Sequence, residues 1–325
     1  MRRPRKAVDP GAAPQLSSGD AVVTAEIAIL RLVSAVNASR RLLFALATSA
    51  SWEKAIRALP GGERNAYRLA RRYVAGTRLE DALACAHRLA AEGLTSSIDL
   101  FGERVSDPVQ ADRIADDYVA LARTLDQFPG STFLSIDLSH IGLDQTGKAA
   151  QRRLARIAAA LPDGRRIQVG AEEESRADPI LTAVLAVARA GGAVAATLQA
   201  NLRRSRSDAH ALAESGVPIR LVKGAYVEAP RVAWSWGEST DLAYLELAHE
   251  LHTNGAEISL ATHDPILREA LLRALPRVVV EMLLGVRGAD ASALAKRGVP
   301  VRIYVPYGDD WFRYAMRRLA ESLGA

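Results

Sequence analysis

The sequence predicts an α/β fold built on a closed parallel (β/α)8 barrel with a helical preface. Over about 230 residues, short β-branched or apolar runs alternate with longer Ala/Leu/Arg-rich helical patterns, as a parallel sheet with crossover helices requires. Eight such runs occur, the number that closes a barrel. A doubly wound sheet is the competing arrangement, but it usually carries a G-x-G-x-x-G turn after an early strand, and the chain has none.

Taken in order, residues 1–19 are rich in Pro, Gly, Ser and Arg and read as a disordered basic tail. Residues 20–95 form a helical segment, with Pro60-Gly61-Gly62 as its one strong interruption. The barrel spans 96–325. Its strands are expected at Ser96 to Phe101, Thr132 to Leu138, Arg166 to Gly170, Val194 to Leu198, Ile219 to Lys223, Glu257 to Ala261, Val278 to Met282 and Val301 to Val305. A last helix runs from Trp311 to Glu321.

Composition narrows the class. The chain has 325 residues, 49% of them hydrophobic and 24% charged, enough to bury a large core. The single cysteine, Cys85, forms no internal disulfide and supplies no thiolate metal site, so the chain reads as cytoplasmic. No apolar run reaches the roughly 18 residues that span a bilayer. The formal charge of +5 invites a nucleic-acid reading, yet the arginines are scattered in pairs over Ala-rich helical patterns rather than interleaved with aromatics. Nucleic acid is therefore not an expected partner, while a peripheral contact with an anionic membrane stays open.

In a barrel, chemistry gathers where strands end. Arg220-Leu-Val-Lys-Gly-Ala-Tyr226 and Val301-Arg-Ile-Tyr-Val-Pro-Tyr307 each deliver a cation and a tyrosine near such an end. Lys223 closes an apolar run, and a desolvated ammonium needs an anionic partner, either a structural carboxylate or a ligand. Gly224 suits a sharp turn or a close backbone approach. Thr262-His263-Asp264 offers polar edges after the sixth run, and no His/carboxylate spacing suggests a metal. On the last helix, Trp311, Tyr314, Arg318 and Glu321 share one face with Arg317 beside it, so two guanidinium groups can converge on one anion.

These segments resemble, in the right order, the signatures of flavin-dependent proline dehydrogenases of the monofunctional type. The matching stretches are Leu221-Val-Lys-Gly-Ala-Tyr226, Ala261-Thr-His-Asp264, Met282-Leu-Leu-Gly285, Val301 through Gly308 and Arg317-Arg-Leu-Ala-Glu321, with Leu100-Phe-Gly-Glu103, Gln199-Ala200 and Arg203-Arg204 earlier. The resemblance implies a distorted barrel holding FAD at its carboxyl-end face, with the last helix across the mouth. It implies flavin contacts from Gln199, Arg220, Lys223, Gly224, Ala225, Tyr226, Thr262, His263 and Asp264. Tyr226, Leu283 and Tyr304 would wall the substrate ring, Arg317 and Arg318 would hold its carboxylate, and Glu321 would brace them. The implied reaction oxidises L-proline or a related, substituted or more basic amino acid to a cyclic imine by hydride transfer to flavin N5, with a quinone or other acceptor taking the electrons.

Four positions depart from the family pattern. Asp137 stands where a lysine is usual and Gly170 where an aspartate is usual, which together leave the pocket about one charge more negative. Asn201 replaces an aromatic and Glu281 a frequent glutamine. Asp137 is accordingly expected at the substrate. Three alternatives follow: an oxidase or desaturase of a different amino acid, a Schiff-base barrel enzyme using Lys223, and a flavin-binding homologue without catalysis.

Overall fold

In a computed structural model, residues 49–322 are described. The expected basic tail and the first part of the helical segment lie outside the described residues. Eight parallel strands close into one barrel in sequence order: β1 (Thr95–Leu100), β2 (Phe133–Ile136), β3 (Ile167–Val169), β4 (Val194–Gln199), β5 (Ile219–Val222), β6 (Ile258–Ala261), β7 (Val279–Leu283) and β8 (Val301–Tyr307). Each falls within one or two residues of its sequence expectation. The seam is the longest pairing, from Thr95 opposite Arg302 to Leu100 opposite Tyr307.

Alternation along each strand explains the sequence runs. Ile98, Leu134, Ile136, Ile167, Val169, Leu221, Leu260 and Val280 are fully or almost fully buried, and their period-two partners face the barrel axis. Crossover helices cover the outward set: α4 (Pro108–Thr124), α5 (Gly147–Ala158), α6 (Glu174–Arg189), α7 (Ser205–Glu214), α8 (Glu238–Thr253), α9 (Pro265–Ala274) and α10 (Gly288–Lys296). Two of them open on an Asp-Pro pair. Asp107 and Asp264 accept hydrogen bonds from the first-turn amides, while Pro108 and Pro265 occupy positions where no amide hydrogen is required. Buried tyrosines on the helices bond to strand ends, Tyr118 to the Leu100 carbonyl (3.0 Å) and Tyr244 to the Leu221 carbonyl (2.9 Å).

The axial positions are polar to an extent unusual for this fold, where bulky branched residues dominate. Arg302, stacked on Phe133 with Arg166 on a second approach (4.0 and 4.2 Å), lies toward the amino end. Arg220, Ser259 and Glu281 follow, and Asp99 and Tyr304 stand nearer the carboxyl end.

The segments flanking the barrel are rearranged. Helix α3 (Leu79–Ala91), which precedes β1, packs against both β1 and β8 and fills the wall position that a helix after β8 would normally take. The helix that does follow β8, α11 (Trp311–Ser322), packs instead on α2 (Gly62–Ala70). Trp311, Phe312 and Ala315 are buried with Ala66, Ala70, Tyr73 and Val74, and each large side chain so covered contributes about 2 kcal/mol. Tyr67 meets Trp311 edge-on at 5.0 Å, and α1 (Ala50–Ala58) adds Arg57 over the Trp311 ring and Glu53 near Arg313 (3.5 Å). The linking chain runs along the carboxyl ends of β7 and β8: Ala75 N–H donates to the Pro306 carbonyl (2.9 Å), Gly308 N–H to the Gly76 carbonyl (3.1 Å) and Arg72 to the Gly285 carbonyl (2.9 Å). The described part of the helical segment therefore braces α11 on the mouth side of the barrel.

Candidate active site

One side of the mouth is acidic. Asp99, inward on β1, accepts a hydrogen bond from Tyr304 of β8 (2.7 Å). Burial raises its carboxyl to about 7 despite opposition from Tyr304, Arg220 and Ser135. Asp137 directly follows β2. Burial, then the fields of Asp99, Glu172 and Glu103, push its carboxyl well above the carboxylate range, with Arg220 opposing. Glu172, past the end of β3, is raised by burial although it accepts the Ser139 amide (2.9 Å). No described residue gives the Asp137 carboxyl a hydrogen bond or an ion pair, and the residue is half-buried. Asp137 Oδ1 lies over Gly170, whose backbone is not left-handed, and a Cβ built there would overlap that oxygen unless the carboxyl rotated away.

The cations are held by design of the strand register. Arg220 on β5 donates from Nε to Glu281 on β7 (2.7 Å), and Glu281 also receives Ser259 (2.7 Å) and Arg302 (3.2 Å). Burial alone would raise the Glu281 carboxyl, but the two guanidinium groups more than reverse this and hold it below its ordinary value. Lys223 Nζ lies 2.5 Å from Asp241 and 2.9 Å from Asp264. Burial would lower its pKa, but the two carboxylates outweigh it and the net shift is upward. This corrects the Schiff-base alternative. A lysine nucleophile must lose its proton, and Lys223 is clamped in the charged form. Asp264 is likewise committed, with one oxygen capping α9 and the other on Lys223.

After β5, Gly224 adopts a left-handed φ of 112°, and a Cβ on it would overlap Asn201 Oδ1. Ala225 is exposed and Tyr226 half-buried beyond it. After β6, Thr262 is buried and accepts the Asp264 amide (3.2 Å). His263 Nε2 accepts the Leu283 amide (3.1 Å), which leaves Nδ1 as the ring's donor. Burial, then Arg318, Arg268 and Arg287, lower His263 to about 4, so it is neutral at physiological pH. Gln199, at the end of β4, donates to the Glu172 carbonyl (2.8 Å).

Helix α11 completes the enclosure. Tyr314 stacks near Phe101 (5.1 Å) and Tyr304 (6.1 Å), and Arg318 lies 5.4 Å from the Tyr314 ring centre. Arg317 acts on the Tyr226 phenol, which burial, Asp137, Glu173 and Glu172 push upward and Arg317 pulls down. Arg318 acts on His263. The fields of the two guanidinium groups thus extend to the loops after β5 and β6, where the sequence placed the walls of a pocket. The Glu321 side chain lies outside the described residues. Asp99, Glu172 and Asp241 escaped the sequence reading. Asp99 was findable as the one charged inward position of the first run, whereas Asp241 and Glu172 act through partners set by tertiary position.

The arrangement suits a flat polar cofactor. Arg220 Nη2 and Asn201 Oδ1 are buried without hydrogen-bond partners among the described residues, an expensive state that a ligand's polar edge would relieve. Asn201 lies against Gly224, whose missing side chain lets another group approach the backbone closely.

The proline dehydrogenase family model matches residues 82–324. Proline dehydrogenase of Deinococcus radiodurans is 33% identical over 269 residues, covering 79% of this chain and 87% of the relative. Proline dehydrogenase 1 of Bacillus subtilis is 31% identical over 264 residues, covering 78% and 86%. Among solved structures, proline utilization A from Bdellovibrio bacteriovorus inactivated by N-propargylglycine superposes with a TM-score of 0.72 at 20% identity, covering 80% of this chain and 33% of that one. A Bradyrhizobium japonicum proline utilization A mutant gives 0.66 at 21% identity, covering 81% and 32%. The chain spans about a third of those longer proteins, and at these identities they share its fold. With a family match across three quarters of its length and relatives above 30% identity, this chain belongs to the proline dehydrogenase family and is an amino-acid dehydrogenase of that type.

Proposed function

We propose that the chain oxidises L-proline or a close cyclic analogue at the barrel mouth, using FAD, and passes the electrons to a quinone or other acceptor. The observation that supports this reading is α11 on the mouth side of the barrel, with Tyr314 near Tyr304 and with Arg317 and Arg318 exerting their fields on Tyr226 and His263. Two guanidinium forks beside aromatic walls suit a small carboxylate with an apolar ring. FAD supplies a hydride acceptor at N5 when bound. Gln199, Arg220, Gly224, Ala225, Tyr226, Thr262 and His263 would hold it, with Lys223 and Asp264 stiffening the strand ends that present them. Tyr226, Leu283 and Tyr304 orient the ring and keep water from the reacting carbon.

Among the described residues no helix is long and apolar enough to cross a membrane. Work in the cytoplasm with peripheral contact to a quinone-bearing membrane fits this reading. The test is an absorption spectrum of the purified protein, followed by anaerobic addition of L-proline. A flavin spectrum that bleaches supports the proposal. A colourless preparation that resists reconstitution with FAD overturns it, and a flavin that no amino acid reduces returns the chain to the non-catalytic alternative.

A further inference from the structure

We propose that Asp137 binds the ammonium end of the substrate while the arginines of α11 take its carboxylate. This rests on the function proposed above and names the residue that meets the second pole of a zwitterion.

Four observations converge. Asp137 is half-buried directly after the carboxyl end of β2, and no described residue pairs with its carboxyl. Asp137 Oδ1 lies against Gly170, where a Cβ would overlap it, so the carboxyl leans across the end of β3. The charges around it are mostly of its own sign. Asp99, Glu103 and Glu172 raise its proton affinity, while the opposing Arg220 is bonded to Glu281. Arg220 is itself 8% exposed with Nη2 buried and without a partner among the described residues. An unmatched carboxylate and an unmatched guanidinium N–H in one compartment mark a place that a ligand with both donors and acceptors completes.

The Tyr226 phenol feels both groups, Asp137 raising its pKa and Arg317 lowering it. A cyclic amino acid lying along Tyr226 meets an acid with its nitrogen and a base with its carboxylate. The acidic neighbours that favour a proton on this carboxyl also favour a bound cation in its place, the displaced proton passing to solvent.

The test compares two probes on the flavin-loaded full chain. L-proline carries both poles, whereas cyclopentanecarboxylate keeps the ring and the acid but has no nitrogen. For Asp137→Asn, the KM for L-proline should rise at least about tenfold, while the inhibition constant of cyclopentanecarboxylate stays the same or falls. Gly170→Ala, which displaces the Asp137 carboxyl and keeps its charge, should show the same split. Parallel rises for both probes would mean a structural role and overturn the proposal, as would an unchanged KM for L-proline. Wild-type protein that oxidises no cyclic amino acid would instead sink the proposed function, before either variant is measured.

Discussion

Glu281 offers the sharpest test of how the barrel interior is held together. It is 4% exposed and accepts from Arg220, Ser259 and Arg302, of which the two arginines are 8% and 7% exposed. Glu281→Ala leaves two guanidinium groups inside the barrel with no carboxylate between them. Removing one partner of a buried ion pair costs about 3–5 kcal/mol, largely because the remaining charge is uncompensated. Here two charges are stranded, but Arg302 keeps its stacking on Phe133, which offsets part of the loss, so about 4 kcal/mol is expected. Glu281→Gln keeps acceptor and shape and should lie between the variant and the parent. Urea unfolding followed by circular dichroism measures both. An alanine variant within 1 kcal/mol of the parent would show that water reaches these arginines and that the network is not a stabilising one. The same substitution frees Arg220, so flavin occupancy should fall with stability.

Two further predictions concern the mouth. Arg317→Ala should raise the KM for L-proline by about ten- to a hundredfold while flavin occupancy is retained, because a charge-assisted bond to a desolvated carboxylate is worth about 1.5–3 kcal/mol. Unchanged steady-state kinetics would place that guanidinium outside the pocket. His140, buried and bonded through Nδ1 to Tyr118 (3.1 Å), is held down to about 4 by burial. An unfolded imidazole titrates near 6.5, so between pH 6.5 and 4 the unfolded chain gains a proton that the folded one refuses, and stability falls on acidification by about 3 kcal/mol. Asp99, raised to about 7, works in the opposite sense throughout this range, because its folded form takes up a proton first, so the loss given is the share due to His140. His140→Gln should therefore lose less Tm between pH 6.5 and 4.5 than the parent, and equal slopes would refute the assignment.

The sequence exposed all eight strands because each is covered on its outer face by a helix and so reads as a short apolar or β-branched run, with polar breaks at the inward positions. It exposed the polar strand ends for the same reason: Lys223, His263 and Tyr304 interrupt patterns that packing alone would have kept apolar. The desolvation argument for Lys223 correctly demanded an anion. It could not say which, because Asp241 and Asp264 reach Lys223 only through the placement of α8 and β6 beside β5. Asp99 and Tyr304 are 205 positions apart and meet only across the seam that closes the barrel. The amphipathic spacing of α11 was visible, but helical periodicity specifies a face, not its neighbour. That this face meets α2 follows from α3 having already filled the wall between β8 and β1.

That substitution of one helix for another ties the segments before and after the barrel into a single latch. The family match begins at residue 82, yet the surface clamping α11 comes from residues before it, including Ala66, Tyr67, Ala70 and Tyr73. How firmly the gatekeeping arginines are seated is thus governed by a stretch that touches none of the reacting groups. Exchanging residues 50–74 among relatives would change the tightness of that latch, and with it the rates of substrate entry and product escape, and leave the chemistry beneath it intact.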